Sequence, residues 1–115
     1  MDIVRDARGG RIDTSPIGDL LGRMVRRWNP VQIWLFGSRS RGQAGPCSDW
    51  DLFVVVPDDL APAELDPTVA WRLRRDSRAP ADVVLCRASD FDEDRTTPNT
   101  LAYEAWTRGL LLYER

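Results

Sequence analysis

The chain has 115 residues, 43% of them hydrophobic and 30% charged, with a formal net charge of −2. That length holds one hydrophobic core and excludes a second, and the balance of apolar and charged residues excludes wholesale disorder. All 16 basic residues are arginine, so Ser-His-Asp and Cys-His sites, a Schiff-base lysine, a P-loop lysine and histidine-ligated zinc are excluded within the chain.

Carboxylates, hydroxyls, two thiols and arginines remain for chemistry. The negative net charge does not suggest an unspecific grip on nucleic acid, and no direct nucleic-acid binding is expected. The longest strongly apolar run, Leu52 to Val56, is far too short to span a bilayer. Met1-Asp2-Ile3-Val4-Arg5-Asp6 contains no secretory h-region. A cytoplasmic location without a membrane partner is therefore expected. Cys47 and Cys86 lie far apart in sequence, lack a metal-ligand spacing and are expected to be reduced.

Residues 1–14 read as an N-terminal arm, a loose segment or weak hairpin around Gly9-Gly10, and residues 15–115 as the folded domain. Ser15-Pro16 provides an N-cap followed by proline in the first helical position. Ile17, Leu20, Leu21, Met24, Val25 and Trp28 then form one apolar helical stripe, which Asn29-Pro30 ends. Residues 31–36 read as the first core strand, closed by Gly37. Residues 38–42 read as a short polar helix and 43–48 as a loop. Residues 49–56 read as the second core strand. Asp66-Pro67 repeats the cap-plus-proline signal for a helix to about Arg78, after a possible extra turn over 62–65. Residues 81–86 form the third core strand, 87–97 an acidic connection with a possible helical turn, 99–108 a short helix with Gly109 as C-cap, and 110–113 a last strand. The fold class is α+β, in two layers, with helices packed on a small mixed sheet.

The chemistry concentrates in Gly37-Ser38-Arg39-Ser40-Arg41-Gly42 and, six residues later, Asp49-Trp50-Asp51. Asp49 and Asp51 are two apart on a predicted strand, so their carboxylates face one side. Two adjacent carboxylates repel unless a cation lies between them or one is protonated. Oxygen ligands beside substrate phosphates suit Mg²⁺. Gly37 permits close backbone approach, and the following helix N-terminus, with the Ser38 hydroxyl, offers donors to an anion. Metal carboxylates beside a phosphate cradle suit nucleotidyl transfer, in which two cations could activate the attacking oxygen and stabilise the leaving pyrophosphate.

The pattern G-S-x-x-x-G, six residues, D-x-D, flanked by strands, resembles the minimal nucleotidyltransferases of the DNA polymerase β superfamily. The ending Gly109-Leu110-Leu111-Leu112-Tyr113-Glu114-Arg115 also resembles that family's C-terminus, so the likeness runs from about residue 15 to 115. It implies the nucleotidyltransferase fold. It also implies a third carboxylate from the next core strand, which Asp82 in Ala81-Asp82-Val83-Val84-Leu85 matches. By that resemblance Asp49 and Asp51 bind both Mg²⁺ ions, Asp82 completes the site that activates the acceptor hydroxyl, and Gly37 and Ser38 hold the triphosphate. Arg39 and Arg41 are added as candidate nucleotide-binding residues, because a guanidinium fits phosphate geometrically. Trp50 departs from the pattern, where an aliphatic residue is more usual, and should point away from the carboxylates.

Other groups have plainer readings. Ser40 is structural. Arg72, Arg74, Arg75 and Arg78 form a solvated helix face, and Asp90, Asp92, Glu93 and Asp94 a solvated acidic loop, lacking the ligand pattern of an EF-hand. Tyr103 and Trp106 are core. The stripe from Ile17 to Trp28 is core or a partner surface.

The resemblance implies transfer of a nucleoside monophosphate, AMP from ATP or from another NTP its counterpart, to a hydroxyl. It further implies an antitoxin that modifies a helical HEPN-type toxin. Two alternatives stand beside it: a catalytic subunit that nucleotidylates a small molecule such as an aminoglycoside, and a non-catalytic binding antitoxin. A chain this short has no second lobe to enclose an acceptor. The five tryptophans and the Ile17–Trp28 stripe are therefore expected to supply a surface for a helical protein or a second copy of the chain.

Overall fold

Residues 4–5, 8–43, 45 and 49–115 are described by a computed structural model. Pro46, Cys47 and Ser48 and residues 1–3, 6–7 and 44 lie outside the described residues, and with them the expectation for the Cys47 thiol.

Asp13 starts the first helical segment. Its carboxylate accepts from the Ser15 N–H at 2.9 Å and from the Ser15 hydroxyl. Ser15–Ile17 winds as a 3-10 turn, and α1 (Gly18–Trp28) follows. The acceptor therefore sits two residues earlier than the expected Ser15 cap, because the tighter turn comes before the α-helix. Ile17, Leu20, Met24 and Trp28 are buried, and Leu21 and Val25 half-buried, as the stripe requires. Asn29 takes a left-handed conformation, φ +44°, and its N–H bonds the Val25 carbonyl to end the helix before Pro30.

Two of the later helices, those starting at Pro67 and Leu101, are capped by side chains. Pro62–Leu65 is a 3-10 turn, and Arg27 of α1 grips its Glu64 through two hydrogen bonds, at 2.7 and 3.0 Å. The Asp66 carboxylate then caps α2 (Pro67–Ser77), accepting from the Thr68 N–H at 2.9 Å. The expected acidic connection is mostly helix, α3 (Ala88–Asp94), because buried Phe91 anchors it against Trp34 and Phe53. The Thr100 hydroxyl caps α4 (Leu101–Arg108), accepting from the Tyr103 N–H at 3.1 Å.

A hairpin, β1 (Val4–Arg5) with β2 (Arg11–Ile12), precedes these helices, and its Ile12 is buried in the main core. The main sheet holds β3 (Gln32–Phe36), β4 (Trp50–Val56), β5 (Ala81–Arg87) and β6 (Leu110–Glu114). Its order is β5-β4-β3-β6. β3 is antiparallel to β4 and β6, and β4 is parallel to β5, so the sheet is mixed as expected.

The expectation of two layers is corrected to three. Residues 52–56 of β4 are buried on both sides, and an apolar strand of this kind needs cover on each face. Leu52, Val54 and Val56 pack with Ile17, Leu20, Met24 and Trp28 on the α1/α2 face. Phe53 and Val55 pack with Trp34, Phe91, Ala102 and Ala105 on the α3/α4 face. Each fully buried Val, Leu or Phe side chain stabilises the fold by about 1.5–3 kcal/mol relative to exposure.

Two further expectations change. The Ile17–Trp28 stripe lies inside the core and offers no surface to a partner. Trp106 is 42% exposed rather than core. It stands edge-on to Trp34 at 5.8 Å, with the Arg95 guanidinium 4.5 Å from its ring. Gly109 is the C-cap of α4 as expected, its N–H donating to the Ala105 carbonyl at 2.9 Å, with extended backbone at φ −80° and ψ 169°. A side chain there would strike the Ala105 carbonyl and come within 3.0 Å of the Leu35 carbonyl oxygen, so close approach of backbone explains the glycine. Among the described residues no helix is long and apolar enough to cross a membrane.

The cap on α2 is testable by pH. Its hydrogen bonds from Thr68 hold the Asp66 carboxyl below its ordinary value. A depressed folded value means the cap contributes fully above the unfolded value, about pH 4, and is lost as pH falls through the folded one. Asp66→Ala should lower the melting temperature by a few degrees, on the order of one cap, at pH 7. The difference from the parent should close as pH falls below the ordinary carboxyl range, read by thermal denaturation at a series of pH values.

Candidate active site

Three strands end together where the motif residues lie. The antiparallel register sets Phe36 of β3 opposite Asp51 of β4, and the parallel register sets Asp51 beside Asp82 of β5. Register partners on neighbouring strands point to the same face about 4.8 Å apart. Asp51 and Asp82 therefore stand side by side, on the face covered further along by α3 and α4. Asp49 lies one residue before β4, exposed.

Gly37 follows β3 with φ +77°, a conformation that favours glycine. A β-carbon built at Gly37 would run into the Asp51 carboxylate. The missing side chain is thus the space the carboxylate occupies. This role for Gly37 is steric and specific, and it links the glycine motif directly to the aspartate motif.

The expected short helix over 38–42 is a run of turns. The Ser38 carbonyl accepts from the Arg41 N–H at 3.2 Å and the Gln43 N–H at 2.9 Å. The fully buried Ser40 donates its hydroxyl to the Gly37 carbonyl at 2.8 Å, which bears out its structural reading. Gly42 closes the turn at φ +73°. Two glycines in left-handed geometry bend this stretch too sharply for a helix, so no helix dipole faces the site. Any anion held here meets turn backbone and the half-buried Ser38 instead.

The two arginines go to different places. The Arg39 guanidinium lies 4.3 Å from the centre of the Trp50 ring. Trp50 is buried in the α1/α2 core, on the opposite face of β4 from Asp51, as the sequence reading required. Arg39 thus packs over the tryptophan ring. Arg41 faces the carboxylates: its charge acts on Asp51. Glu104 of α4 holds Arg41 through an Nη1–Oε1 contact of 3.3 Å, and Gln43 accepts from its Nε at 3.0 Å. Glu104 was not singled out in the sequence. Its partner is 63 residues away, so no local spacing marks it.

The electrostatics converge on Asp51. Burial raises its carboxyl above the ordinary value, and the charges of Asp82 and Asp49 raise it further, against a smaller lowering by Arg41. The protein therefore holds a carboxylate in a setting that resists its ionisation. Among the described residues no three Asp, Glu, Cys or His side chains stand close enough to form a metal-binding group. The carboxylates share one end of the sheet, within electrostatic reach, without being drawn into a common ligand set. Their chemistry fits a divalent cation all the same: the donors are hard oxygens, crowded enough to disfavour their own charge, and the nearest counter-charge is already engaged by Glu104.

Residues 17–95 match the family described as the nucleotidyltransferase domain. That stretch contains Gly37, Ser38, Asp49, Asp51 and Asp82. No curated protein matches the chain. Among solved structures, one described as "Crystal structure of the toxin-antitoxin with AMP-PNP" has a TM-score of 0.55 and 24% sequence identity. The likeness covers 84% of this chain and 72% of that one. At that identity the likeness is one of fold. The family match takes in β3, β4 and β5, the glycine turn and all three aspartates, and the chain belongs to the nucleotidyltransferase domain family.

Proposed function

We propose that the chain is an Mg²⁺-dependent nucleotidyltransferase that moves a nucleoside monophosphate, AMP from ATP in the first instance, to a hydroxyl on a partner protein. The observation that carries this reading is the register of Asp51 beside Asp82, with Gly37 making room for the Asp51 carboxylate. Family membership gives the reaction class. The structural neighbour, a toxin–antitoxin with AMP-PNP, supports an adenine nucleotide and a protein partner. On this reading the partner is a helical HEPN-type toxin and the chain its antitoxin.

Each residue has a role in the proposal. Asp49, Asp51 and Asp82 would hold two Mg²⁺ ions, which when bound neutralise triphosphate charge and lower the cost of charge build-up at the reacting phosphorus. The turn from Gly37 and Ser38 receives the phosphates. Arg41, steadied by Glu104, adds a cation on the same side. Asp82, exposed at the end of an edge strand, faces the incoming hydroxyl and takes its proton. A bond forms between that oxygen and the α-phosphorus. The bond from the α-phosphorus to the bridging oxygen breaks, and pyrophosphate leaves. The steady in-line placement of the two oxygens supplies much of the rate. Arg39, bound over Trp50, is left out of the cradle.

The test is incubation of the chain with α-labelled ATP, Mg²⁺ and the product of the neighbouring reading frame. Label on that protein, lost in Asp82→Asn, is the expected result, with nucleotide binding reduced by less than transfer. Neutralisation of the toxin without label, unchanged by Asp82→Asn, would instead mark a non-catalytic antitoxin.

Asp51→Asn should have two opposite effects. The raised folded value means that ionised Asp51 costs stability as pH rises through and above the ordinary carboxyl range. The variant should melt higher than the parent at pH 7 without nucleotide, and the gain should shrink as pH falls through the ordinary carboxyl range. Its melting temperature should no longer rise on adding ATP and Mg²⁺, whereas the parent's rises.

Gly37→Ala tests the steric link. Its β-carbon meets Asp51 in a backbone conformation alanine rarely adopts. Calorimetry should show ATP–Mg²⁺ affinity falling by tenfold or more, about 1.4 kcal/mol. Unchanged affinity would separate Gly37 from the site.

A further inference from the structure

The sheet has an open edge next to the site. β5 is terminal in the strand order. The Trp50 N–H donates to the Pro80 carbonyl at 2.8 Å, which sets the phase of the β4–β5 ladder. In that phase the backbone groups of Asp82, Val84 and Cys86 face β4, and those of Val83 and Leu85 face outward. Among the described residues the N–H and carbonyl groups of Val83 and Leu85 have no hydrogen-bond partner. Unpaired strand backbone is a template for another strand.

The edge lies in a groove. Two hollows, of about 210 and 490 Å³, run along β5 and share Pro67, Ala70 and Val83 in their walls. The smaller reaches Asp82 and is bounded by Trp71 and Arg74 of α2. Trp71 is 48% exposed. The larger ends at Cys86, Arg87, Asp90 and Asp94. Asp90 and Asp94 bear directly on that end: burial, then their two charges, push the Cys86 thiol up to about 11.

We infer that the β5 edge is an acceptor-docking site, where an extended segment of a protein substrate adds as a strand and delivers its hydroxyl beside Asp82. This rests on the proposed transfer and names its substrate class. The geometry dictates the segment's pattern. A residue paired beside Asp82 points to the carboxylate face, as Asp82 does. Its two neighbours point to the other face, where Pro67, Ala70 and Trp71 offer an apolar wall. Four residues from the hydroxyl, the segment lies beside Cys86 on the carboxylate face, opposite Asp90 and Asp94. A basic residue is favoured there by charge. The recognised segment is a Ser, Thr or Tyr flanked by apolar residues, with Arg or Lys four positions away. Main-chain bonds to Val83 and Leu85 supply register, and the side chains supply selection.

The probe is a fluorescein-labelled nine-residue peptide with a central serine, leucine on each side and arginine at both ends, so that either strand direction places an arginine opposite α3. Its twin carries glutamate at both ends. Fluorescence polarisation at low salt should show the arginine peptide binding at least tenfold more tightly. Leu85→Pro removes an outward N–H without touching the β4 ladder and should weaken binding by about tenfold. Asp90→Arg with Asp94→Arg lies on the surface helix and should reverse the preference to the glutamate peptide, which decides the matter even if the proline variant fails to fold. Equal binding of the two peptides, or preference unchanged by the double reversal, would overturn the assignment. So would self-association of the parent abolished by Leu85→Pro, which would give the edge to a second copy. Peptide binding as expected, with no label transferred from ATP under any condition, would leave the docking site standing and sink the proposed reaction instead.

Discussion

The parallel pairing of β4 with β5, in the register that sets Asp51 beside Asp82, is the constraint on which the rest of the structure depends. A slip of one residue would turn Asp82 to the opposite face and send Val83 and Leu85 out of the α1/α2 core. The register is held by burial on both sides of β4, where residues 52–56 alternate between two cores. The stability of the hydrophobic interior and the placement of the carboxylates are therefore one property. Neither core can repack freely without moving the acidic pair.

That placement works against the folded state. Asp51 is half-buried beside two other acids, and its ionisation is disfavoured for that reason. The chain tolerates this because the cost falls at the strand end, where water still reaches Asp49 and Asp82. Gly37 stands against Asp51 in a left-handed conformation, with no side chain to meet the carboxylate. Charge crowding of this kind is more common at sites built for a ligand than at sites built for stability.

The surroundings divide the labour between the two faces of the sheet. The α1/α2 face carries structural packing, including Trp50 with Arg39 above it. The α3/α4 face carries the chemistry: Arg41 reaches it through Glu104, and Asp90 and Asp94 charge the far end of β5. Trp71, one of the exposed tryptophans, stands at the smaller hollow near Asp82. On the proposed reading, Trp71 puts exposed apolar surface beside the carboxylates, whereas the stripe of the first helix is core.

The sequence by itself determined most of the elements and singled out the acidic residues, because both follow from short-range rules. Apolar spacing marks α1, proline and aspartate mark the start of α2, and alternation along a strand places Asp49 and Asp51 on one side. The glycine–serine motif was legible as a motif, but its run of turns over 38–42 reads locally as a helix, and α3 reads as a connection. Only the tertiary structure decided what depends on distant partners. Arg39 and Arg41 look alike in the chain, yet the first packs over Trp50, while Glu104, 63 residues on, holds the other at the site. The third layer arose because β4 is apolar on both faces. The stripe from Ile17 to Trp28 became core because that sheet lay ready to cover it. Gly109 caps α4 as the sequence indicated, but its lack of a side chain answers to the nearby carbonyls of Leu35 and Ala105. The open edge of β5 exists because no other strand pairs beyond it, and strand order is a property of the folded chain that no local stretch of sequence encodes.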